Sequence, residues 1–163
     1  MSLSPYSTED RARQLFNDMM FNGIKHRLVN RITGKRISLM AFEEWRDTMR
    51  FAGQHDAGLQ TLEICQIIGS VGRSNDFDAG FHLIAGDLTM RWLDVAKAIF
   101  NGRELPPIDV YKVDENYFVI DGNHRVSVMK SLGQDFIEAH VIELHLEDER
   151  CQTQELPALR FDR

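Results

Sequence analysis

Hydrophobic positions along the chain fall into blocks of different period. Ala12, Leu15, Phe16, Met19 and Met20 recur at helical spacing, and Ile24 and Leu28 extend that stripe past Gly23. Ser7-Thr8-Glu9-Asp10 ahead of them supplies a hydroxyl cap and places acids where the helix dipole favours them; Thr33-Gly34-Lys35 breaks the pattern. The block predicts one long amphipathic helix with a core face. Ser38 is placed to cap a second helix through Phe42, Trp45, Met49 and Phe51, ended by Gly53. From Leu59 the character changes: Leu62, Ile64, Cys65, Ile67 and Ile68 make a short apolar run ending in Gly69-Ser70-Val71-Gly72-Arg73, which suits a buried strand or a helix equally. Ser74-Asn75-Asp76-Phe77-Asp78 reads as a polar loop.

A third helix is expected over 90–101, with Trp92, Val95, Ala96 and Ile99 on one face and Gly102 as the stop. Pro106-Pro107 then forbids helix and starts an extended segment. Residues 108–113 read as a strand, Asp114-Glu115-Asn116 as a tight turn and residues 117–120 as the partner strand of a hairpin. Asp121-Gly122-Asn123-His124-Arg125 turns the chain into a helix with Val126, Met129 and Leu132 inward and Gly133 as its cap, and residues 136–144 alternate as a final strand. The charged tail with Pro157 is expected to be loosely docked.

Composition adds limits. The chain has 163 residues, enough to bury about two thirds of its unfolded surface as one domain without disulfides or metal. Cys65 and Cys151 lie far apart without CxxC partners, so reduced, buried thiols are expected. No basic-then-apolar leader and no apolar run near the ~20 residues that span a bilayer is present, so the expectation is a cytoplasmic protein without membrane contact. The net charge of -6 is unevenly spread: residues 1–36 carry Arg11, Arg13, Lys25, Arg27, Arg31, Lys35 and Arg36 against Glu9, Asp10 and Asp18, a net of +4, and the rest carries -10. An acidic total is a poor match to a DNA-coating protein, but the basic arm leaves nucleic acid, an acidic partner or the protein's own body as its counterpart.

The candidate chemistry sits at two glycine turns. In Asp121-Gly122-Asn123-His124-Arg125, Gly122 allows a sharp turn, and Asn123, His124 and Arg125 occupy a helix N-terminus whose free N–H groups attract anions. Arg125 and His124 would complete a phosphate cradle, while Asp121 would hold Mg2+ or act as a general base with His124. Alternatively Asp121 and Asn123 merely cap the helix and Arg125 pairs with a nearby carboxylate. The second turn, Gly69, Ser70, Gly72 and Arg73, would form an N–H nest for phosphate, or simply end a strand; it gains meaning only by meeting the first turn in space. His140 and His145 near Glu143 and Glu147 suit a surface histidine pair better than a metal cluster, and Asp76 and Asp78 suit Asx-type turns.

The order of elements from Trp92 to Val141 resembles the ParB/sulfiredoxin-like superfamily: a helix, Leu105-Pro106-Pro107-Ile108-Asp109-Val110, a hairpin with Tyr117-Phe118-Val119-Ile120, then Asp121-Gly122-Asn123-His124-Arg125 and Leu132-Gly133. The resemblance implies an α/β (α+β) fold, a small mixed sheet flanked by helices, spanning residues 59–146, with an N-terminal helical extension over 1–58 and a tail over 147–163. It also implies a nucleotide (ATP, ADP or CTP) with Mg2+, bound at Gly122, Asn123, His124 and Arg125 facing Gly69, Ser70, Gly72 and Arg73, with Asp121 near the metal. Asn123 stands where sulfiredoxins carry a reactive cysteine and where partition ParB proteins carry the glutamate of G-E-R-R, which argues against those two chemistries. The expected function is nucleotide binding, as an Mg-dependent NTPase or phosphotransferase. The rivals are a DNA-associated regulatory or nuclease-like module using the basic helix and a DNA-binding partner, and a fold kept only for protein contacts. A homodimer is compatible with each. Some twenty residues after the last strand leave no room for the reading head of a partition protein.

Overall fold

The computed structural model describes residues 7–84 and 86–147. The expected tail beyond Glu147, Cys151 and the first six residues lie outside the described residues. Helix α1 (Thr8–Thr33) begins with a capping box between Ser7 and Asp10 and ends where Gly34 takes a left-handed conformation. After it come strand β1 (Met40–Ala41), a single helical turn α2 (Phe42–Arg46), β2 (Phe51–Glu63), a 3-10 turn (Ile64–Gln66) and β3 (Ile67–Ser70). Helix α3 (Thr89–Phe100), the hairpin β4 (Ile108–Val113) and β5 (Asn116–Asp121), α4 (Asn123–Ser131) and β6 (Phe136–Leu146) complete the chain.

The six strands form one mixed sheet in the order β1-β3-β5-β4-β6-β2. β1, β3 and β5 run parallel, as do β4 and β6, whereas β5 with β4 and β6 with β2 are antiparallel. Helices and a mixed sheet are the α/β architecture that the resemblance implied. Side chains alternate across the central strands: Tyr117 and Val119 join Trp92, Ala12, Met19 and Val126 in the main core, while Phe118 joins Phe42 and Val113 on the other side. Trp92 is fully buried, edge-on to Phe16, and donates its indole N–H to Ser127 Oγ at 2.9 Å, tying α3 to α4.

Four expectations are corrected here. The second helix shrinks to α2, because Phe42, Trp45 and Phe51 are drawn together with Tyr111 and Phe118 into one aromatic cluster, and Phe51 already belongs to a strand. The position 58/59 falls inside β2, which pairs with β6 from Phe51 opposite Leu146 to Glu63 opposite Phe136, so the last residues of the presumed helical extension, 51–58, belong to the sheet. Cys65 is exposed, 3.5 Å from the Glu63 carboxylate, because it sits in the 3-10 turn between two strands. The α1 stripe also divides: Met19 and Gly23 face the core, but Ile24 and Leu28 do not. No helix of the described residues is long and apolar enough to cross a membrane.

Candidate functional site

The parallel pairing of β3 with β5 brings the ends of both strands to one edge of the sheet, and both glycine turns follow those ends. Val71, Gly72 and Arg73 from the first turn and Asp121, Gly122, Asn123, His124 and Arg125 from the second line one cleft of about 460 Å³, closed by Phe77, Arg91, Val95, Leu105, Pro106 and Ile120. Such a volume lies in the range of small-molecule sites. Gly122, at φ +108, is the N-cap of α4, and no side chain caps that helix. The first N–H groups of α4 therefore face the cleft edge with their hydrogen-bonding capacity unspent on the protein.

The polar side chains divide into spent and unspent groups. Arg125 is spent: its guanidinium donates to the carbonyls of Pro106 and Pro107 and to Asp121 Oδ2, and its side chain is only 13% exposed. It fastens the entry of β4 to the turn, which is the structural alternative weighed above. Ser70 is spent as well, because its buried hydroxyl donates to the Val119 carbonyl at 3.2 Å. Gly69 is needed for strand contact, since a Cβ there would meet Met40 O and Phe118 at 2.5 Å. Neither Gly69 nor Ser70 lines the cleft.

Asn123 Oδ1 and His124 Nδ1 are buried without a partner, although Asn123 is only 7% exposed as a residue. Buried polar atoms of this kind normally have one. Arg73 is half-exposed and pairs with Asp76 at 3.0 Å, so it remains free to swing, and Arg91 reaches the same cleft from α3. Burial, with Arg91 and Arg73 nearby, pulls the His124 imidazole down to about 4. It is neutral at pH 7, and the positive potential of the cleft comes from the two arginines and the α4 terminus.

Because the unfolded imidazole titrates near 6.5, this depressed value favours the folded state fully above that pH. The contribution is lost as pH falls from 6.5 toward 4. The stability difference between the wild type and His124→Gln is therefore expected to shrink over that window in urea titrations. An imidazole that titrates near 6.5 by NMR would contradict this reading.

Among the described residues Asp121 is the one carboxylate lining the cleft, exposed and with one oxygen engaged by Arg125. It offers a single further oxygen. That suits Mg2+ arriving on phosphates and keeping most of its water, rather than a resident ion in a protein cage.

Sequence reasoning missed Arg91, Phe77 and the Asp78 network. Arg91 lies beside Trp92 on an amphipathic helix, where a solvated cation looks the same in sequence. The Phe77 ring stands edge-on to His124 at 5.4 Å and forms a cleft wall. Its neighbour Asp78 is fully buried: Oδ1 accepts from the Gly80 and His82 amides, completing the expected Asx-type turn. The same carboxylate accepts from His82 Nδ1 at 2.9 Å and Arg27 at 3.2 Å, with His26 Nδ1 at 3.5 Å. Burial alone would raise the Asp78 carboxyl, but hydrogen bonds and charge from His82, with the two amides, lower it overall.

His26, Asp78 and His82 bring three potential ligand atoms within 4.8 Å. The carboxylate is already filled with N–H donors, and Asn30 Nδ2, 3.3 Å from His26 Nε2, leaves the His26 proton on Nδ1 facing Asp78. The cluster reads as a clasp between α1 and the loop that carries Phe77, not as a metal centre. On the far edge of the sheet His145 pairs with His55, the rings stacked at 4.8 Å, and not with His140.

Residues 89–155 match the family model of the ParB N-terminal domain. This segment covers less than half of the chain and contains α3, the hairpin, the Asp121–Arg125 turn and α4. No curated protein matches the chain. Among solved structures, a crystal structure of sulfiredoxin from Arabidopsis thaliana is similar at 22% identity, covering 51% of this chain and 82% of that one with a TM-score of 0.39.

Proposed function

We propose that the ParB-like module of this chain binds a nucleotide, with its phosphates at the N-terminus of α4. The observation that carries the reading is the convergence, in one cleft, of an uncapped helix N-terminus, Arg73, Arg91 and two buried polar atoms without partners. The phosphates would take the free N–H groups around Asn123 and His124 and draw Arg73 away from Asp76. Neutral His124 would contribute a hydrogen bond without a charge. Val71, Val95, Leu105 and Ile120 give the cleft an apolar wall for a base or sugar. Mg2+ would supply charge neutralisation on the phosphates beside Asp121. Hydrolysis or transfer of a phosphoryl group would add a base near Asp121, whose free oxygen is the candidate.

Duplex DNA on the basic arm has less support. Arg27 is engaged by Asp78, Arg36 by Glu44 and Arg13 by Glu9, and Arg11 lies 4.2 Å over the Phe100 ring, so much of the arm's charge is used within the molecule.

A thermal-shift panel of ATP, ADP and CTP, each with and without Mg2+, separates the readings. At a hundredfold excess over the dissociation constant, a nucleotide stabilises by about 2.7 kcal/mol, or roughly 5–10 °C for a chain of this size. Arg73→Ala and Arg91→Ala should each reduce the shift without lowering the unliganded melting temperature by more than a degree or two. No shift with any nucleotide, together with salt-sensitive retention on duplex DNA, would turn the conclusion to the DNA reading.

A further inference from the structure

A second cleft, of about 500 Å³, opens beside the 3-10 turn at Ile64–Gln66. Glu63 and Cys65 reach it from the end of β2 and that turn, Asp135 and Phe136 from the entry of β6, and Lys130 from the last turn of α4. The Ile64 N–H donates to the Asp135 carbonyl at 2.8 Å, so the two loop segments that frame the cleft are fastened to each other. Lys130 also borders a smaller cleft of about 290 Å³, shared with Asp18 and His82.

The five lysines of the chain differ in how their charge is met. Lys97 pairs with Asp94 at 2.8 Å and Lys112 with Glu143 at 3.2 Å, while Lys25 and Lys35 are exposed to water. Lys130 is half-buried, and among the described residues its ammonium has neither a carboxylate nor a carbonyl partner; it lies over the Phe81 ring, 5.2 Å from the centre. A cation drawn out of water without a hydrogen-bond partner is costly, so the amine gives up its proton more readily. Burial accordingly pulls the Lys130 ammonium below the ordinary lysine value, with Asp78 and Cys65 opposing in part. A free amine at a cleft wall is a nucleophile.

We infer that Lys130 is a covalent site for a small neutral aldehyde or ketone taken into the cleft beside Cys65. The Nζ lone pair attacks the carbonyl carbon and a C–N bond forms. The carbonyl π electrons pass to oxygen, which receives a proton from the nitrogen. The carbinolamine then takes one proton relayed from solvent, loses its hydroxyl as water and leaves a protonated imine, so the step needs neither oxidant nor reductant. Glu63 and Asp135 favour that cation as it develops. The same two carboxylates repel a carbonyl compound that carries a phosphate or carboxylate, and Lys130 is the one cation in the described lining, which is why the substrate is neutral.

Reductive trapping tests the inference. The full chain is incubated with glycolaldehyde and cyanoborohydride at neutral pH, and the modified lysines are quantified by peptide mass spectrometry. Lys130 is expected to be labelled at least about tenfold faster than Lys25 or Lys35, although those two are the more exposed. Unfolding in urea should erase the preference, a control that needs no variant to fold. Glu63→Gln combined with Asp135→Asn should slow the labelling of Lys130 and leave that of Lys25 unchanged. With glyoxylate, an anion, the ratio of Lys130 to Lys25 labelling should fall below the ratio for glycolaldehyde. Labelling ranked by exposure, with Lys130 slower than Lys25 and Lys35, would overturn the inference. So would a preference that survives urea, or a higher ratio with glyoxylate than with glycolaldehyde.

Discussion

Gly122→Ala is expected to be among the most damaging single substitutions in this chain, costing about 3–5 kcal/mol. Gly122 sits at φ +108, where an L side chain is strained whatever the space. The space is also occupied. A Cβ would lie within 2.4 Å of Ile108 Cγ2, 2.9 Å of Ile108 Cβ and 3.1 Å of Arg125 Cζ.

Ile108 is wholly buried at the start of β4, and Arg125 is fixed to Pro106, Pro107 and Asp121, so neither can yield freely. Relief would require rotating the first turn of α4, and with it the N–H groups that face the cleft. Urea unfolding would read the stability loss, and the nucleotide-induced melting shift should vanish in the same variant. A stability change below about 1 kcal/mol would show that the turn is adaptable and that its glycine has no special duty.

Asp78→Ala is expected to cost about 3 kcal/mol, which for a chain of this size lowers the melting temperature by roughly 6–12 °C. The substitution leaves the Gly80 and His82 amides, the His82 ring and the Arg27 guanidinium facing an apolar methyl group. Arg27 and the two rings keep partial access to water, which limits the loss. Asp78→Asn should cost less, because the amide oxygen can still accept from the two backbone N–H groups.

The pH dependence follows from the same contacts. The lowered Asp78 carboxyl contributes stability above the ordinary carboxylate value of 3.8, and that contribution is lost as pH falls below it. A wild-type minus Asp78→Asn difference that does not shrink on acidification below pH 3.8 would contradict the assignment. Since Phe77 is carried by the same loop, Asp78→Ala should also weaken nucleotide binding, although Asp78 does not line the cleft.

Both substitutions act where the sequence was legible in different degrees. Gly122 was visible because a strand, a glycine and a polar helix start are local signals, each fixed by the backbone demands of a few consecutive residues. Asp78 was visible only as an Asx-turn residue. Its importance comes from His26 and Arg27, some fifty positions away, and from Gly23, whose missing side chain lets the His82 Cβ approach α1.

The sequence by itself determined the elements whose signals are local: α1 with its Ser7 cap and Gly34 stop, α3, the β4–β5 hairpin, the glycine turn into α4, and β6. It also placed Gly69, Ser70, Gly72 and Arg73 as candidates for the same ligand as the Asp121–Arg125 turn, of which Gly72 and Arg73 line the cleft. Only the tertiary structure decided that these two segments share one cleft, because that follows from β3 lying beside β5, a pairing between residues some fifty positions apart. It likewise decided that Arg125 is a fastener while Arg91 faces the cleft, that residues 51–63 form an edge strand and not helix, and that α1 carries a second apolar face. Helical periodicity records that a position is apolar but not which body will cover it; partners distant in the chain settle that.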